Sequence, residues 1–95
     1  MILHVTKASY LEDYRIEVAF NNGKTGIVDL SQCLTGFIFA ALKDLKLFSQ
    51  LKLDAELNTI VWPNGADLAP EYLYFQAFKE APELQNEFKQ WGYVA

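Results

Sequence analysis

Few side chains in this sequence are equipped for chemistry. Histidine and cysteine occur once each, as His4 and Cys33. A nucleophile–base pair would rest on those two meeting in space, and one His with one Cys cannot complete a zinc ligand set. Gly23, Gly26 and Gly36 lack the spacing of a phosphate-cradling loop. Carboxylates remain. Asp67 and Glu71 stand four positions apart and would share a face if a helix already includes Asp67. With Asn64 and Trp62 just before them, they could form a small-ligand or cation site, or an acid–base pair. The competing reading is structural. Asp67 precedes a helix and can accept hydrogen bonds from its unpaired N–H groups, and both charges suit the positive end of the dipole. No catalytic residue, cofactor or metal site is assigned on this pattern.

The elements that must position these residues are readable from periodicity. Ile2 to Tyr10 is rich in strand formers. Tyr14, Ile16, Val18 and Phe20 alternate with Arg15, Glu17 and Ala19, the period of a half-buried strand. Asn21-Asn22-Gly23 suits a tight hairpin turn, and Lys24 to Leu30 returns as a third strand. Ser31 could cap a short turn. Ile38, Ala41, Leu42, Leu45 and Phe48 follow the spacing of one amphipathic helix. Leu51 to Trp62 reads as a second hairpin, turning at Asp54-Ala55-Glu56. Pro63-Asn64-Gly65 ends it, and Pro70 sits where a first helical residue belongs. The expected fold is therefore α+β: an N-terminal three-stranded antiparallel meander, a helix, a second β-hairpin, then C-terminal helices.

Aromatics crowd the segment after this corner. Tyr72, Tyr74 and Phe75 cannot all point inward from one helix, so some must face solvent, the C-terminal tail or a partner. The tail carries its own apolar stripe, Leu84, Phe88 and Trp91, with Gly92 placed to end a helix. We expect residues 1–79 to form a single α+β domain. Residues 80–95 are expected to form a helical tail packed on that domain or on a partner. Trp62, Asn64, Asp67, Glu71, Tyr72, Tyr74, Phe75 and Trp91 together form the candidate interaction or ligand surface.

Composition narrows the partners. The 95 residues are 52% hydrophobic and carry a net charge of −4. Residues 1–48 are neutral overall, and the whole deficit falls in residues 49–95. With no basic stripe to neutralise phosphates, nucleic-acid binding by this chain alone is disfavoured, and a basic protein face is the better match. A lone cysteine, no secretory leader pattern and no long apolar run point to a cytoplasmic, non-membrane protein.

Specific motifs point further. They are Phe20-Asn21-Asn22-Gly23, Val28-Asp29-Leu30, Phe39-Ala40-Ala41-Leu42-Lys43-Asp44 with Phe48, and above all Trp62-Pro63-Asn64-Gly65-Ala66-Asp67-Leu68-Ala69-Pro70-Glu71-Tyr72-Leu73-Tyr74. In these the chain resembles the bacterial domain of unknown function 2442 family, DUF2442, over about Ile2 to Lys79. The resemblance implies a compact α+β domain without an established activity. Some relatives carry a helix-turn-helix DNA-binding domain after this module, and this chain is expected to be too short for one. Others are encoded beside a second small protein in toxin–antitoxin-like arrangements. The expectation is a non-enzymatic interaction or regulatory module, with a protein partner through self-association, an operon neighbour or both. The alternatives are a ligand- or metal-binding domain or enzyme using Asn64, Asp67 and Glu71 beside Trp62, and a transcriptional accessory contacting nucleic acid.

Overall fold

A computed structural model describes residues 2–94. Three antiparallel strands, β1 (Val5–Glu12), β2 (Arg15–Phe20) and β3 (Thr25–Asp29), form a meander in the order β1-β2-β3. The register follows the alternation. Tyr10 lies opposite Ile16, and Ile16 opposite Val28, so the even-numbered apolar residues of β2 and β3 share the core face. Arg15, Glu17 and Ile27 lie on the open face. There Arg15 pairs with Glu12 at 3.3 Å and with Asp29 at 3.7 Å.

The turn residues do more than turn. Asn21 Nδ2 donates to the Ile2 carbonyl, and Asn21 Oδ1 accepts from the His4 N–H, which ties the chain's start to the β2–β3 hairpin. Asn22 Nδ2 reaches the Tyr74 hydroxyl at 3.2 Å, and Gly23 takes φ 87°. Ser31 is not a cap as expected. Its own N–H donates to Asp29 Oδ1, and that bond, with Arg15 nearby, lowers the Asp29 carboxyl pKa.

The expected single helix over residues 38–48 is broken. It consists of α1 (Phe37–Ala40), a 3-10 turn (Ala41–Lys43) and α2 (Leu45–Phe48). Asp44 causes the break. It is extended at φ −72°, ψ 109°, and its side chain accepts from the Lys46 N–H, so it starts a new helix rather than continuing the old one. Only Leu42 and Phe48 of the predicted stripe are fully buried, while Ile38 and Leu45 reach solvent.

The second hairpin pairs β4 (Lys52–Asp54) with β5 (Thr59–Val61), and Asn58 of its turn accepts the Val5 N–H on its carbonyl. Helix α3 (Pro70–Phe78) then crosses the core face of β3. A 3-10 turn (Pro82–Leu84) and α4 (Gln85–Gln90) complete the chain. The core joins Ile16, Val18 and Val28 of the sheet, and Leu30 just after it, to Phe48, Ile60, Trp62, Leu73 and Phe88. No helix among the described residues is long and apolar enough to cross a membrane.

Gly26 is where α3 meets the sheet. A Cβ there would stand 3.0 Å from Ala77 Cβ and 3.0 Å from the Phe78 ring. Alanine normally outperforms glycine inside a strand. Here Gly26→Ala is expected to destabilise the fold by about 1–2 kcal/mol, and Gly26→Val by more, because the opposing Cβ is fixed to a helix backbone. Urea unfolding measures this; a Gly26→Ala chain as stable as the parent would contradict the close α3–β3 contact.

Candidate functional site

The corner after β5 is built by its polar side chains. Trp62 is buried, and its indole N–H donates to the Phe48 carbonyl at 2.9 Å. Its ring packs against that of Phe48, with centroids 5.8 Å apart. Asn64 uses both ends of its amide. Nδ2 donates to the Ile38 carbonyl, and Oδ1 accepts from the Ala66 N–H. The main chain closes through Trp62 N–H to the Ala66 carbonyl and a bridge between Val61 and Asp67. Gly65 takes φ 90° at the tip.

Asp67 does not cap α3. The N-cap is Ala69, which offers no side-chain hydrogen bond, and the helix begins at Pro70. Asp67 belongs to the strand-like bridge, so it and Glu71 are not on one helical face. Glu71 instead lies near Tyr93, whose phenol pKa is raised first by burial and then by the Glu71 charge. The corner therefore does not gather Trp62, Asn64, Asp67 and Glu71 around one point. Among the described residues no cavity opens, and no three His, Cys, Asp or Glu side chains gather as metal ligands.

The aromatic residues do gather. Tyr74 is buried between Phe20, Phe78, Phe88 and Trp91, with ring centroids 4.9–6.3 Å away. Phe75 meets Phe88 edge-on and stacks on Tyr93 at 4.9 Å. Tyr72 donates its hydroxyl to Cys33 Sγ at 3.0 Å and meets the Tyr93 ring. The C-terminal turn makes this possible. Gly92 at φ 86° lets its own N–H reach the Lys89 carbonyl and the Tyr93 N–H reach that of Phe88, the paired bonds of a Schellman ending. That reversal carries Tyr93 back onto α3. Phe88 is fully buried, and Leu84 nearly so. The tail thus packs on its own chain.

The unpartnered aromatic lies elsewhere, and the sequence reading missed it. Phe37 is 100% exposed, and Ile38 beside it is partly so. Gly36 at φ 84° starts the short helix that presents them, and the Asn64 amide holds the Ile38 carbonyl. The available signal was a run of three large apolar residues, Phe37-Ile38-Phe39, in which one helical face cannot hide every member.

Two measurements check this arrangement. Phe88→Ala is expected to cost about 3–5 kcal/mol in chemical unfolding, and a near-neutral change would mean the tail is not part of the core. The Tyr72 phenol pKa is pushed up to about 12, first by burial and then by its bond to Cys33. A raised phenol pKa means the fold favours the neutral form. This contribution is whole below the ordinary value of 10.0 and is lost as pH rises towards 12. Tyr72→Phe should flatten the fall in unfolding midpoint across that window; parallel curves would reject the raised pKa.

No curated protein sequence matches the chain. A crystal structure from Nitrosomonas europaea, of a protein described as a candidate DNA-binding protein, shares the fold with a TM-score of 0.74 and 16% identity. The match covers 99% of this chain, tail included, and the chain spans 63% of that protein's length. At that identity the likeness shows the fold alone. Residues 5–79, from β1 through the corner to the end of α3, match the family described as a protein of unknown function (DUF2442). The chain is a member of the DUF2442 family.

Proposed function

We propose that this chain is a non-enzymatic interaction module of the cytoplasm, an accessory or antitoxin-like partner of a neighbouring small protein. The observation that carries the reading is Phe37. A fully exposed phenylalanine, held on a short helix that the Trp62–Asp67 corner braces, has no role in this fold and suits a partner's apolar pocket. The net charge of −4 favours a partner with a basic face. The Trp62 indole, both ends of the Asn64 amide and the Tyr72 hydroxyl are engaged in the scaffold.

A second reading is a transcriptional accessory that contacts nucleic acid. It is favoured by the Nitrosomonas europaea protein, described as a candidate DNA-binding protein, more than a third of which lies outside the match. A salt-dependent mobility shift by this chain with its own promoter would support this reading; no shift at low salt would remove it.

The leading reading is tested by co-expressing the chain with its gene neighbour's product and measuring the affinity of the complex. Phe37→Ser should weaken binding by about 2 kcal/mol or more. Its effect on stability should stay within about 0.5 kcal/mol, because the side chain is already in water. Undiminished binding by the variant would refute the role given to Phe37.

A further inference from the structure

The meander has two edge strands, β1, which lies against the second hairpin, and β3. On its far side, the turn of the second hairpin takes up the Val5 N–H beside β1. On the near side, β3 pairs with β2 alone. The pairing phase is set by two bonds, Phe20 N–H to the Lys24 carbonyl and Leu30 N–H to the Tyr14 carbonyl. Even-numbered residues of β3 therefore turn their backbone groups towards β2. Thr25, Ile27 and Asp29 turn theirs outward. Among the described residues none of these outward N–H and C=O groups has a partner.

Native edges are normally protected by a proline, a bulge or an inward charge. β3 has none of these across Thr25–Asp29. At its centre stands Ile27, 55% exposed on the open face of the sheet.

We infer that β3 is a dimerisation edge, and that two copies of this chain pair antiparallel through Thr25–Asp29 with Ile27 on the two-fold axis. The inference deepens the reading of the protein as an interaction module and rests on it. The register is self-complementary. A two-fold axis normal to the sheet keeps the two core faces on one side. It sets Ile27 against Ile27 of the second copy, and Thr25 against Asp29 at both ends. All the outward donors and acceptors are then matched, because these residues are the ones that face out. The two exposed isoleucines cover each other. The side-chain chemistry agrees. Each Asp29 carboxylate faces a threonine hydroxyl rather than its own twin. A second copy fits this edge better than an arbitrary peptide, since the same five residues supply both halves of every pair.

Analytical ultracentrifugation of the full chain from micromolar to millimolar concentration reads the association. Hydrogen exchange reads its location. Wild type should dimerise with concentration, and the Thr25, Ile27 and Asp29 amides should slow as it does. Ile27→Lys, which sets two ammonium groups on the axis, should weaken dimerisation by at least about tenfold. Ile27→Pro should also abolish it, since its missing N–H points away from β2 and leaves the meander's own bonds intact. Circular dichroism shows whether the proline variant folds, and Ile27→Lys decides if it does not. A monomeric wild type at millimolar concentration overturns the inference. So does a dimer unmoved by Ile27→Lys, with those three amides unprotected. If that result comes with binding of the neighbouring protein intact, this inference alone fails. A dimer that forms through β3 while Phe37→Ser leaves partner binding unchanged upholds it and removes only the Phe37 reading.

Discussion

The fold depends on one hydrogen bond in the core, from the Trp62 indole to the carbonyl of Phe48. Phe48 is the last residue of α2, a helix of four residues. So short a helix has no stability of its own, and its terminal carbonyls have no partner within it. A buried carbonyl left unpaired would cost about 1–3 kcal/mol. The indole supplies the donor while its ring fills the space beside Phe48. Two residues on, Asn64 does the same for the Ile38 carbonyl in α1. The corner therefore braces the broken helical segment from Phe37 to Phe48, and its polar side chains are spoken for by main-chain groups.

That bracing decides which apolar residues remain outside. Because the segment turns at Asp44 instead of running as one rod, the stripe that would have faced the core is split. Leu42 and Phe48 go in, whereas Phe37 stays out with Ile38 partly exposed beside it. The C-terminal aromatics behave in the opposite way. Tyr72, Tyr74 and Phe75 have too much ring surface for one helix to hide, and α4 with its glycine ending folds back to cover it. A tail outside the matched family segment thus completes the core.

These two outcomes bear on function together. The aromatic cluster packs largely on itself: Tyr74 is buried, Tyr72 and Phe75 are half-buried, and Trp91 reaches solvent. Surface left available for partners lies at Phe37 and along β3. One is an apolar side chain on a braced helix, and the other is a row of unpaired backbone groups. The ion pairs among the described residues, Arg15 with Glu12, Asp13 and Asp29, lie on the surface.

The sequence by itself determined the local pieces. Alternation in β2, the Asn-Asn-Gly turn, proline at the start of α3 and glycine after α4 each act over a few neighbouring residues, so their consequences follow without the rest of the chain. The family is likewise legible, because the Trp62–Tyr74 run is long and specific. Helical spacing misled over residues 38–48. Periodicity does not register that an aspartate can stop one helix by capping the next. At Asp67 the expected cap failed because the residue's main chain pairs with Val61 in a strand bridge, and the helix begins only at Pro70. Which aromatics are hidden, what Trp62 bonds to and which strands lie at the edges were decided only by the tertiary structure. Each depends on contacts between residues far apart in the chain, such as Trp62 with Phe48, Gly26 with Ala77, or Phe75 with Tyr93. Burial and hydrogen bonding at such contacts are set by packing, which no local pattern encodes.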